Sequence, residues 1–165
     1  MTLNETIANL QRDWANPRRT SDSAPNAPDL KVACSFEEGH LANVPHNTPV
    51  DLEIFWKNYK SARLFEDRQF GQWGLEILDP SESRLATSEY DLDRERDRRF
   101  GDRVIGRFFG DSEVLLIRCD PSAPDYGCII VALPLDSRKD WPLVGNSFSE
   151  FFERYAKGEG AKFWE

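Results

Sequence analysis

The sequence predicts an α+β domain, a mainly antiparallel β-sheet with helices packed on it. Three observations carry that expectation. Five β-rich runs fill the centre of the chain, and the last three are joined by short loops, the pattern of an antiparallel meander. Apolar residues recur at helical spacing on both sides of that centre. The length of 165 residues suits one core that buries about 70% of the unfolded surface.

The elements follow in order. Leu3, Ile7, Leu10 and Trp14, spaced by four, three and four residues, mark one stripe of an amphipathic helix, with Thr2 and Glu5 spaced for a capping box. Ala15 to Asp29 hold three prolines and no large apolar residue, which predicts a linker or irregular arm. The expected organisation is therefore residues 1–30 as helix and arm, and 31–165 as one domain. Thr48 as cap, Pro49 in the first helical position and Asp51 near the positive end of the dipole open a second helix. Leu52, Phe55, Trp56 and Tyr59 form its buried stripe.

Strands are expected over 62–65, 73–78, 103–109, 113–119 and 128–135, with turn chemistry at Asp67 to Gly71, Asp79-Pro80, Gly110-Asp111 and Asp120 to Gly127. Between the second and third strands, Asp91 to Arg99 carry four acids, four arginines and a single apolar residue, Leu92. Such alternation predicts a solvated helix or loop. A last helix is capped by Ser147 and Glu150, covers the sheet with Phe148, Phe151, Phe152 and Tyr155, and stops at Gly158. Its aromatics are expected to meet Ile105, Leu115, Ile117, Ile129 and Val131.

Charge and composition bound the function. The 21 basic and 29 acidic residues give a net charge of −8, a field that repels nucleic acid and anionic membrane and favours a basic protein partner. No secretory signal or membrane-spanning run is present, and Cys34, Cys119 and Cys128 lack CxxC spacing, so reduced thiols in a cytoplasmic protein are expected. Ser112 stands in a Gly-Asp-Ser tripeptide like that of one hydrolase class, yet both histidines, His40 and His46, lie upstream and no local motif supplies a base. Gly110-Asp111 reads instead as a turn. Cys34, His40 and His46 lack the close paired spacing of structural zinc ligands, and Gly71 to Gly74 lack both standard phosphate-loop fingerprints. No catalytic residue, metal or cofactor is expected. Acids at strand ends (Asp111, Glu113, Asp120, Asp125) and in loops (Glu66, Asp67, Asp91, Asp93, Glu95) are the candidate contacts for a partner.

Thr48 to Phe65, Phe70 to Leu78, Val104 to Asp120, Tyr126 to Trp141 and Val144 to Glu165 together resemble the SUKH superfamily, in its Smi/Knr-like branch. The resemblance covers about Thr48 to Glu165 and rests on the order of a Pro-x-x-Leu helix, an Ile-Gly strand, a Gly-Asp turn and a Ser-Phe-x-x-Phe helix. Lys60-Ser61-Ala62 stand where that family often has Asn-Gly. The resemblance implies the α+β fold and a non-catalytic role: an immunity protein that binds and neutralises a bacterial toxin, often a nuclease, or else a regulatory scaffold. A hydrolase is the third alternative. The family has no shared catalytic set, so the resemblance assigns no site residue.

Overall fold

The computed structural model describes residues 1–21 and 30–165. Seven strands form one sheet in chain order, every neighbour antiparallel: β1 (Ala33–Glu38), β2 (Tyr59–Glu66), β3 (Leu75–Ile77), β4 (Asp102–Phe108), β5 (Val114–Arg118), β6 (Ile129–Ala132) and β7 (Leu143–Gly145). Helix α1 (Leu3–Asp13) precedes the sheet, α2 (Val50–Asn58) links β1 to β2, α3 (Pro80–Asp93) links β3 to β4, and α4 (Phe148–Lys157) follows β7. A single 3₁₀ turn, Arg138–Asp140, lies between β6 and β7.

Because strand side chains alternate, the sheet buries two faces. Leu115 and Ile117 of β5 and Ile129 and Val131 of β6 enter the larger core with Leu64, Leu75, Ile77 and Ile105. This face is covered by α1, α2 and α4, and the four α4 aromatics are buried there as expected. Leu116, Ala132, Val104 and Leu78 point the other way, under Ala86 and Tyr90 of α3 and Trp141. Helix α3 therefore covers the second face. Its buried positions Ser83, Ala86 and Tyr90 follow at i, i+3 and i+7.

The capping boxes expected at both ends of the chain differ in outcome only in detail. Thr2 and Glu5 satisfy each other's backbone N–H groups, and Ser147 Oγ accepts from Glu150 N while Glu150 reaches back to Asn146 N rather than to the cap. Helix α1 docks its stripe into the larger core, with Trp14 edge-on to Phe65 at 5.1 Å. Part of the expected arm is tied down as well. Arg18 pairs with Val32 through two backbone hydrogen bonds, and Ser21 binds Glu159. The arm reading for residues 22–29 lies outside the described residues.

Helix α2 starts one residue later than expected, with Pro49 as its cap residue. The Thr48 hydroxyl turns back to donate to Pro45 O, and Asp51 instead accepts from Leu52 N and, at 2.8 Å, from Ser149 N of α4. Tyr59 has left the helix and begins β2, so helix passes to strand without turn residues. Lys60, Ser61 and Ala62 lie within β2 itself. Strands β1 and β7 were not expected. β1 is an edge strand of sequence ACSFEE whose burial alternates poorly, and β7 has three residues. Cys34 lies on β1, while Cys119 and Cys128 flank β5 and β6 rather than lying within them; all three are free thiols.

Candidate interaction surface

The turn between β4 and β5 holds Gly110, Asp111 and Ser112. Gly110 has φ +83°, and a Cβ there would sit 2.4 Å from Gln72 O, so the position requires glycine. Asp111 Oδ1 accepts from Glu113 N at 2.7 Å, an Asx turn that holds the chain reversal. Ser112 is exposed, and among the described residues no hydrogen bond joins its hydroxyl to a base. The His40 ring is bonded to Lys57 O, and the His46 side chain is exposed. Cys34 is buried, accepts a hydrogen bond from Phe65 N, and has its thiol pKa pushed up to about 12 by that burial. A thiol so protonated is a poor nucleophile at neutral pH. No group of three or more His, Cys, Asp or Glu side chains among the described residues could hold a metal ion.

The nine candidate acids fall into two groups. Six serve the chain's own architecture. Asp67 is buried and caps Gln69 N and Phe70 N, which removes it from any solvent-facing surface. Glu66 pairs with Arg63 at 2.8 Å, and Asp111 and Glu113 both receive Lys162, which fastens the C-terminal segment to the β4–β5 turn. Asp120 Oδ1 caps Ser122 N, and Asp125 Oδ2 accepts from Arg118 at 2.9 Å. The remaining three, Asp91, Asp93 and Glu95, have no hydrogen bond or ion pair among the described residues.

Those three acids sit at the C-terminal end of α3, where the helix dipole is negative and no basic residue lies in the last turn. Acids there oppose the dipole and weaken the helix slightly. Exposed apolar residues lie on the same helix and its flanking loops: Leu85 and Leu92 at i and i+7 on α3, Phe100 after it, and Leu135 in the loop after β6. Leu92 and Leu135 are 82% and 96% exposed. Arg96, Arg98 and Arg99 follow, also exposed, so the surface presents both signs of charge.

Two buried or half-buried arginine clusters hold this end of α3 in place. Arg94, placed by the sequence in the solvated run, is instead a clasp. It donates to Leu133 O, Pro134 O and Asp136 O, pairs with Asp97 at 2.8 Å, and lies 5.0 Å above the Trp141 ring. Beneath it, the Asp102 carboxylate is wholly enclosed. It accepts from Arg138 twice, from Arg118 at 2.7 Å, from Tyr90 Oη at 2.8 Å and from Arg99 N at 2.9 Å. Burial alone would raise the Asp102 pKa, but Arg138, the Arg99 N–H and Tyr90 outweigh it and hold the carboxyl below its ordinary value. Burial and then the bond to Asp102 push the Tyr90 phenol upward, so it stays a donor. Asp102 thus joins α3, β4, β5 and the 3₁₀ turn in one charged knot. Its side-chain partners lie 12 to 36 residues away in sequence, too far for local pattern to reveal.

Fold and surface together define an α+β domain built on a seven-stranded antiparallel meander, with a mixed apolar and charged face at one end of its outer helix. No protein-family model matches the chain, and neither a curated protein nor a solved structure is significantly similar to it. No helix among the described residues is long and apolar enough to cross a membrane.

Proposed function

We propose that this protein is a non-catalytic, stoichiometric binding protein, an immunity protein of the SUKH type that neutralises a bacterial toxin domain by covering a basic part of its surface. The observation that carries the reading is the end of α3. Three acids without partners among the described residues stand at the negative pole of a helix near the largely exposed Leu92 and Leu135, and the chain braces that end with Arg94 and the Asp102 knot. A surface that costs local helix stability yet is held rigidly is suited to an external partner. The leucines supply apolar anchor area, the acids supply complementarity to a basic patch, and Arg96, Arg98 and Arg99 set orientation. The net charge of −8 favours the same class of partner. The order of segments resembling the Smi/Knr-like branch supports the immunity role.

The test is protection. A toxin gene, sought beside this chain's gene in the native genome, is expressed with or without this chain in a sensitive host. The wild type rescues growth, and D91K/D93K/E95K abolishes rescue while the purified variant keeps its thermal midpoint. Rescue undiminished by that triple reversal, or by L92E combined with L135E, would remove the α3 surface from the account.

A further inference from the structure

At the opposite end of α3 lies a groove with a cavity volume of about 510 Å³, within the range of about 300–1,000 Å³ common for small-molecule sites. Ser81, Arg84 and Ser88 line one wall at i, i+3 and i+7 along the helix, Val44 and Pro45 line another, and Arg103 of β4 joins them. No carboxylate lines the groove. Arg103 is partly buried, and its guanidinium donates to two neutral acceptors, Thr48 Oγ1 and His46 O, each at 2.8 Å. Its direction is fixed by these bonds, and no carboxylate among the described residues pairs with it. The exposed Arg84 guanidinium, like the Ser81 hydroxyl, has no partner among the described residues.

We propose that this groove binds a phosphomonoester. Two guanidiniums without a carboxylate offer two positive charges, which match the charge of about −1.5 to −2 that a phosphomonoester carries near pH 7. A single carboxylate would leave one guanidinium unanswered. The planar fork of Arg84 suits two phosphate oxygens at once, Ser81 Oγ can donate to a third, and Val44 and Pro45 offer apolar contact to the organic part of the ester. Arg103 enters this arrangement already ordered, so its side chain loses little entropy on binding. The groove is separate from Asp91, Asp93 and Glu95, and its test therefore stands or falls apart from the toxin-binding reading.

The experiment titrates the full chain with ribose 5-phosphate and, in parallel, with a short phosphoserine peptide, followed by calorimetry and by amide chemical shifts. Saturable binding with Kd below about 10 mM is expected for at least one ester. Its affinity rises several-fold between about pH 5.5 and about pH 7.5, because the second phosphate proton leaves near pH 6 while arginine keeps its charge. R84Q weakens binding by about tenfold or more with an unchanged unfolding midpoint, and R84K, which keeps the charge without the fork, falls between. Preference for the sugar phosphate assigns the groove to a small metabolite, and preference for the peptide assigns it to a phosphorylated chain segment. No saturable binding of either ester, affinity indifferent to R84Q, or equal binding of the dephosphorylated peptide would overturn the proposal.

Discussion

Asp102 accepts five hydrogen bonds from four residues in a site closed to solvent, and no residue in the chain illustrates better how a charge survives burial. A buried carboxylate is tolerated only when its lone pairs are satisfied and its charge is answered. Asp102→Asn keeps the shape but turns an amide N–H toward the donors, leaving Arg138 without its carboxylate. It is expected to destabilise the fold by about 3–5 kcal/mol, read as a lower urea midpoint at pH 7. The sign of the pH dependence follows from the depressed pKa of Asp102. The carboxylate contributes its stability fully above the unfolded-state value of about 3.9 and loses it as pH falls through the lower folded value. The gap between wild type and D102N should therefore shrink as the pH drops below about 4. A gap that stays constant from neutral to acid pH would mean that Asp102 is not ionised in the native protein.

At the scale of elements, those legible in sequence carry a strong period. The four α4 aromatics at helical spacing, the α1 stripe and the alternation of β5 and β6 all appear where that period places them. Phe152 lies against Phe36, Phe55 and Phe148. Phe152→Ala should cost about 3–5 kcal/mol in chemical denaturation, and a cost under about 1 kcal/mol would mean this face is not core. Elements were missed where the pattern is short or broken by context. β7 has three residues, too few to show alternation, and β1 is an edge strand whose polar residues suit solvent on its open side. Tyr59 fits the α2 stripe by spacing, yet backbone pairing with Glu38 draws it into the sheet. The segment before the charged run of Asp91 to Arg99 conceals a helix with one buried side, because Ser83, Ala86 and Tyr90 are too small or polar to look like a core stripe.

For the whole molecule, the acidic character was legible from composition, but its distribution was not. Sequence cannot separate an acid that caps a turn, such as Asp67, from one without a partner, such as Asp93, because the difference lies in contacts that folding creates. Asp91, Asp93 and Glu95 were already among the candidates. What the fold adds is the exposed Leu92 and Leu135 at that end of the helix and the arginine clasp that holds it. The same holds for the second groove, where Arg84 and Arg103 come from different elements and meet only in three dimensions. An encounter of the α3 end with a basic partner, as proposed above, is governed by charge and is read in the association rate. Stopped-flow mixing with a toxin domain that the chain is found to protect against should show an on-rate that falls steeply as salt rises, since the screening length shortens to about 8 Å at about 0.15 M. D91K/D93K/E95K should slow association far more than reversal of Arg96, Arg98 and Arg99, with a smaller change in the off-rate. An on-rate indifferent to salt and to the acid reversal, or one slowed mainly by the arginine reversal, would contradict the account.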